Sequence, residues 1–481
     1  MVEKVQQLLN DSKAARWTAL ILIALMMFFG YMFVDVMSPL QSLVEVERGW
    51  TPDVFGTYAL SEYILNVCGF LIIAGIILDK MGVRFTGVLS ASMMFIGASI
   101  KFIGVSDWFQ TTAMCNWLNS WWVALPGSAK LSCLGFMIFG CGCEMAGTTV
   151  SKAIAKWFKG KEMALAMGIE MAIARVGVFA IFSISPLIAG KINPTIVKPV
   201  GFCTVLLLIG LICFIVFTFM DKKFDKQLVE AGLATEEKDP EDEFKVSDLG
   251  KIFSSLSFWV VALLCVLYYS AIFPFQRYGA NMLQCNLNGI SATAASNIFR
   301  WFPIGAAAIT PFLGSFLDHK GKGATMLIWG AILLIVCHLV FAFVLPATHS
   351  KLIAYATIVI LGISFSLVPA ALWPSVPKII DEKILGSAYC LIFWVQNIGL
   401  AFVPKLIGNV LVSSNANNEA VIAAKAAIEA GATDTFIPYN YTTPLIIFAC
   451  FGVAALFIAI YLKALDKKRH LGLEEPNIKN A

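Results

Sequence analysis

Glu144 and Arg175 are charges set in the middle of apolar runs. They belong to one stretch, GCGCEMAGTTVSKAIAKWFKGKEMALAMGIEMAIARVGVFAIFSISPLIAG, in which a short basic loop joins two apolar segments. A charge at that position is costly in lipid and by default marks a functional site. Arginine presents a planar fork of donors suited to a carboxylate, and glutamate accepts from an ammonium. The pair could grip the two ends of a small zwitterion; the competing reading is a salt bridge between neighbouring helices. Glu144 lies eight residues before Lys152 and Arg175 thirteen after Glu162, depths of ~12 and ~20 Å at the helical rise. That offset of ~8 Å suits two ends of one solute better than a direct pair.

Other polar residues in apolar runs extend the candidate site. Asp35 sits half-way along the first run and could line a cavity, bind an amine or take up a proton. Arg300 must face a cavity or a carboxylate rather than lipid. Glu170 lies five residues before Arg175, about 140° round the helix, and is expected to face another partner. Glu62 and Arg277 fall near run ends; interface reach explains Glu62 as well as function does, and is the favoured reading of Arg277. Tyr268, Tyr269, Trp373, Trp394, Gln396 and Asn397 are the neutral candidates, with Tyr269, Trp373 and Asn397 placed in the site.

The elements that must hold these residues are membrane spans. The 481 residues are 59% hydrophobic and only 14% charged, too apolar for a soluble chain. Runs of about 20 apolar residues number twelve: 17–40, 54–78, 85–105, 130–151, 163–190, 199–220, 257–279, 291–317, 324–345, 352–377, 386–412 and 441–464. Lys80, Arg84, Lys152, Lys156, Lys159, Lys161, Lys320, Lys322, Lys378 and Lys383 crowd the loops on one side, which the positive-inside rule makes cytoplasmic along with both termini. The expected plan is a cytoplasmic N-terminus (1–16), a six-helix bundle (17–220), an acidic cytoplasmic linker (221–256), a second six-helix bundle (257–464) and a cytoplasmic tail (465–481).

The halves repeat a motif. Span 2 ends in GIILDKMGVR, with Gly75, Asp79, Gly82 and Arg84; span 8 ends in GSFLDHKGKG, with Gly314, Asp318, Gly321 and Lys322. The same spacing at equivalent places implies internal duplication. The glycines suit a tight turn and close packing. An Asp at a helix C-terminus opposes that helix's dipole, so it is expected to meet a helix N-terminus or a basic residue when the bundles close. Both sets are assigned to gates. Pro274, Pro303, Pro369, Pro374 and Pro377 are expected bending points.

Twelve spans, a charged central loop and this doubled motif resemble the major facilitator superfamily, which implies an all-α membrane protein of two six-helix bundles around a cavity reached alternately from each side. YMFVDVMSPLQ, the stretch across spans 4 and 5, YYSAIFPF, FSLVPAALWPSVPKII and LGSAYCLIFWVQNIGLAFVPKLIG further resemble the lysosomal dipeptide transporters and their bacterial relatives. That resemblance implies that Glu144 and Arg175 engage the charged termini of a dipeptide. Glu170 departs from it, falling where animal members resemble one another in a Gln, and so does Arg300.

The expected function is transport by alternating access, facilitative or proton-coupled, of dipeptides or similar zwitterions. The alternatives are an organic-anion porter using Arg175 and Arg300, and a non-transporting receptor. The absence of a phosphate-binding loop, a zinc-protease motif and a nucleophile elbow argues against ATP-driven transport, metal catalysis and enzymatic activity. No cofactor, metal or nucleic acid is expected; the lipid bilayer and a small solute are. The chain is expected to act as a monomer in a bacterial inner membrane, with an accessory subunit left open. The twelve Cys are expected to be core packers, with a Cys115–Cys133 bridge left open. AVIAAKAAIEA, after span 11, is expected to form a surface helix.

Overall fold

The structure is a computed structural model that describes residues 8–159, 161–231, 250, 252–380, 385–432 and 435–476. Most of the expected linker, Lys383 and the tail beyond 476 lie outside the described residues. Among the described residues ten helices are long and apolar enough to cross a membrane. One of them, Pro52–Val105, holds 54 residues, which would extend ~81 Å at the helical rise, well over twice the ~30 Å hydrocarbon core.

The chain reverses inside that helix at Gly82, where φ is 75° and ψ 174°. Alongside the fourth span, Gly127–Trp157, Trp50 bonds Ser128, Tyr58 stacks on Phe136 and Asp79 pairs with Lys152. Residues 50–79 therefore run parallel to it. Ser90 faces Gly142, Gly97 faces Gly135 and Gly104 faces Ser132, so residues 85–105 run antiparallel. Counted as two spans, and with the eighth rejoined from Ala292–Phe299 and Trp301–Lys320, the ten become twelve. The first and last described residues share one face of the bundle, called here the terminal face.

Two boundaries differ from expectation. Span 1 ends at Val34, and Asp35 is its C-cap rather than its midpoint; a turn and a 3-10 segment, Ser38–Leu40, follow. The apolar run continues through VMSP, which hides the break, but Pro39 lacks the amide that a continuing helix would use. Span 6 continues as helix to Glu230, through the first residues of the expected linker. The surface helix after span 11 is Glu419–Glu429, with Asn418 accepting at its start from the Ala420 amide at 3.2 Å. All twelve Cys are free thiols, so Cys115 and Cys133 do not pair.

The halves meet on the face opposite the termini. Tyr278 donates to the carbonyls of Pro52 and Pro404 at 3.1 and 2.9 Å. Lys405 lies 3.9 Å from Asp53, and Glu45 accepts from Tyr439 at 2.5 Å with Lys425 at 3.8 Å. On the terminal face the ion pairs among described residues stay within one half. Asp79 pairs with Lys152 at 2.9 Å; Arg84 and Lys156 both reach Asp221 and Asp225. In the second half, residues 471–476 fold back. There Glu474 accepts from Thr325 at 2.7 Å through both amide and hydroxyl, and Lys378 donates to the Gly472 carbonyl at 2.9 Å.

Candidate functional site

The levels of the site residues follow from contacts that pin the helix ends. Span 4 runs to Trp157, whose carbonyl accepts from Asn10, and Lys161 bonds the Asn10 carbonyl. Arg16 pairs with Glu162 at 2.9 Å. Trp157, Glu162 and Arg16 therefore share one level. Glu144 is thirteen residues from Trp157, and Arg175 thirteen from Glu162, so each lies ~20 Å deep. Their expected offset disappears, because the end of span 4 is at Trp157 rather than Lys152. Tyr31, fifteen residues beyond Arg16, lies at a similar ~22 Å.

Equal depth does not make a salt bridge. Among the described residues Glu144 and Arg175 form no ion pair within 4 Å, and neither side chain is hydrogen bonded. Both are half-buried. The Tyr31 hydroxyl stands within electrostatic reach of Glu144, Glu170 and Arg175, so spans 1, 4 and 5 carry these groups at neighbouring levels. The second half adds rings beside Arg175. The Arg175 guanidinium lies 5.7 Å from the Phe273 ring centre and 5.2 Å from that of Phe365, a cation–π arrangement. Tyr269 stacks on Phe273 at 5.3 Å and accepts from the Trp373 indole at 3.3 Å. Trp373 in turn stacks on Phe393 at 4.9 Å. The arrangement holds one cation and two carboxylates beside an aromatic wall.

Three expected site residues fall elsewhere. Asp35 is fully buried beneath the opposite face, accepting from Ser38 at 2.9 Å, Gln276 at 2.5 Å and Arg277 at 3.2 Å. Arg300 joins the two pieces of span 8, bonds Ser183 at 3.3 Å and lies over Phe179 and Trp301. Since Ser183 is two helical turns beyond Arg175, Arg300 lies toward the opposite face from the pair. Asn397 is buried, with its amide donating to the Phe393 carbonyl at 3.0 Å and its Oδ1 unbonded. Among the remaining neutral candidates, Tyr268 bonds the Leu327 carbonyl, Gln396 accepts from Cys265 at 3.5 Å, and Trp394 donates across the halves to Val67 at 2.8 Å.

Arg277 corrects its expected role at the interface. It is 5% exposed and joins Asp35, Glu62 and the Val34 carbonyl, so one guanidinium ties span 7 to spans 1 and 2. Glu62 likewise is buried in this cluster rather than at the interface. Sequence reading missed Lys101, which is fully buried with its ammonium 4.1, 4.9 and 4.7 Å from the ring centres of Phe33, Tyr58 and Phe136. Its signal, a lysine late in the apolar run SMMFIGASIKFIGV, is available from sequence.

The gating motifs form their turns as expected: Gly82 and Gly321 have φ of 75° and 69°, the left-handed region open to glycine. Gly75 and Gly314 do not pack closely here, since an added Cβ at either would meet nothing within 4 Å. Asp79 meets a basic residue, Lys152, but within its own half.

Twelve spans in a duplicated arrangement, joined on one face and carrying charges near the midplane, are the architecture of alternating-access membrane transporters. A model of the Major Facilitator Superfamily matches residues 20–404, and the chain belongs to that superfamily. It is 29% identical over 408 residues to the lysosomal dipeptide transporter MFSD1 of Mus musculus, covering 82% of this chain and 80% of that one. The Bos taurus protein of the same name is 26% identical over 424 residues, covering 85% and 82%. Among solved structures, a bacterial homolog to the human lysosomal transporter Spinster, inward-facing and unoccupied, superposes with a TM-score of 0.66 at 15% identity over 95% of this chain and 98% of that one. The nucleoside transporter NupG (TM-score 0.63, 14% identity, 92% and 98%) and a D-xylose-proton symporter (0.63, 16%, 92% and 97%) share the fold. The chain is thus a multi-pass transporter and not an enzyme.

Proposed function

We propose that the protein moves dipeptides or similar small zwitterions across a bacterial inner membrane, with both termini in the cytoplasm and the terminal face open. Each six-helix half acts as one rocking bundle. Glu144 binds the substrate ammonium and Arg175 its carboxylate. Tyr269 and Trp373 wall the site from the second half. Asp79 and Asp318 belong to the gates that form when the terminal face closes.

One observation carries this reading: a carboxylate and a guanidinium lie at one depth without pairing. A buried, unpaired charge is expensive, so each gains from a ligand of opposite sign. The relatives named for dipeptide transport support the substrate class.

Purified protein in a thermal-shift screen against dipeptides, amino acids and organic anions tests the proposal. Dipeptides should raise the melting temperature, and Glu144→Gln should remove that rise. An organic-anion porter would instead keep its ligand response in Glu144→Gln.

A further inference from the structure

The charges round the site do not balance. Span 4 contributes Glu144, and span 5 contributes Glu170 and Arg175; all three lie near Tyr31 of span 1. Among the described residues neither glutamate forms an ion pair within 4 Å. The other intramembrane charges are committed elsewhere. Asp35 and Glu62 face Arg277, with Lys101 in electrostatic reach of all three, two anions against two cations. Arg300 is held by Ser183 and two rings toward the opposite face. The site itself therefore has two carboxylates and one guanidinium.

A dipeptide with neutral side chains is a zwitterion. It would match Glu144 and Arg175 and leave Glu170 to share Arg175 with the substrate carboxylate, an excess negative charge that a low-dielectric setting penalises. Glu170 is also placed to meet something beyond the dipeptide backbone. It is five residues nearer the terminal face than Arg175, an axial offset of ~7.5 Å, comparable to the reach of an extended basic side chain. It is half-buried and lies within electrostatic reach of Arg175.

We infer that Glu170 is a specificity-determining residue that makes dipeptides with a lysine or arginine side chain the preferred substrates. This rests on the dipeptide reading above. The backbone termini would occupy Glu144 and Arg175, and the side-chain cation would extend toward the terminal face to Glu170.

The test measures affinities of lysyl-alanine, alanyl-lysine, alanyl-alanine and aspartyl-alanine for the purified full chain, with wild type, Glu170→Gln and Glu170→Ala side by side. Wild type should favour at least one lysine dipeptide over alanyl-alanine by about tenfold, the scale of one partly buried charge contact. Either neutralising variant should bring that ratio to within about threefold. Equal affinity of wild type for lysyl, alanyl and aspartyl dipeptides would overturn the inference and leave the dipeptide reading intact. So would a lysine preference that survives in the variant that folds, or alanyl-alanine binding that takes up one proton and matches the lysine dipeptides, since the proton would then supply the missing charge. Binding of no dipeptide at all would remove the underlying reading as well.

Discussion

Lys101 lies fully buried beside a cluster in which Arg277 bridges Asp35 and Glu62. Each of these residues is tolerable because the others are present. Removing Arg277 would leave two buried carboxylates with no bonded cation, a change that typically costs about 3–5 kcal/mol. Because the cluster joins the halves, the loss should appear chiefly as opening of the opposite face. Spin labels at Asp53 and Lys405, now 3.9 Å apart, should show a larger long-distance population in Arg277→Met than in wild type. A different pair of contacts fixes the N-terminal segment at the terminal face. The hydrogen bond from Lys161 holds the Asp11 carboxyl below its ordinary range, and that from Arg16 does the same for Glu162. Depressed carboxyls stabilise above their unfolded values and lose that contribution as pH falls through the folded ones. Amide exchange of residues 8–12 should stay slow from neutral pH down to the carboxylate range and rise below it, after correction for intrinsic rates.

At the scale of helices, close approach and turn geometry decide. A Cβ on Gly140 would stand 1.9 Å from the Glu62 carbonyl oxygen, so spans 2 and 4 touch backbone to backbone there. Gly140→Ala should lower stability by about 1–3 kcal/mol, read as a lower melting temperature in detergent. Gly75 and Gly314 behave in the opposite way. With nothing within 4 Å of either added Cβ, Gly75→Leu and Gly314→Leu should leave the melting temperature nearly unchanged. Both should impair transport if these positions are covered when the terminal face closes, and cysteine accessibility along residues 73–79 would report the block. Much at this scale is legible in sequence. Span lengths depend on local apolarity, and the left-handed turns at Gly82 and Gly321 need glycine locally. Partners are less legible. Arg277 is 215 residues from Glu62, and nothing near it in sequence distinguishes a buried bridge from an interfacial arginine. The depth of Glu144 was misjudged for a related reason: span 4 passes through two lysines before ending, because Lys152 and Lys156 find Asp79, Asp221 and Asp225 on neighbouring helices.

For the whole molecule, the described contacts between the halves are unevenly distributed. The halves are joined by ion pairs on the opposite face, while the ion pairs of the terminal face, among described residues, stay within each half. Duplication extends past the gating motif to the ends of spans 6 and 12, where Asp221-Lys222-Lys223 and Asp466-Lys467-Lys468 recur. In the first half Asp221 bonds Lys156 and the Trp157 indole, each at 2.8 Å. In the second, Asp466 accepts the Leu473 amide at 3.0 Å, and the returning tail supplies Glu474. Each half is thus braced internally, as the proposed rocking of one bundle against the other requires. Between them sits the unpaired Glu144 and Arg175, and their role as the two ends of a zwitterion site is the central claim. Counterflow of labelled dipeptide into liposomes containing wild type, Glu144→Gln or Arg175→Lys tests it directly. Wild type should accumulate label against unlabelled dipeptide inside. Both variants should fall to the level of empty liposomes, while retaining the wild-type melting temperature without substrate to within a few degrees. Wild-type exchange rates in Glu144→Gln, or no exchange of any dipeptide by wild type, would contradict it.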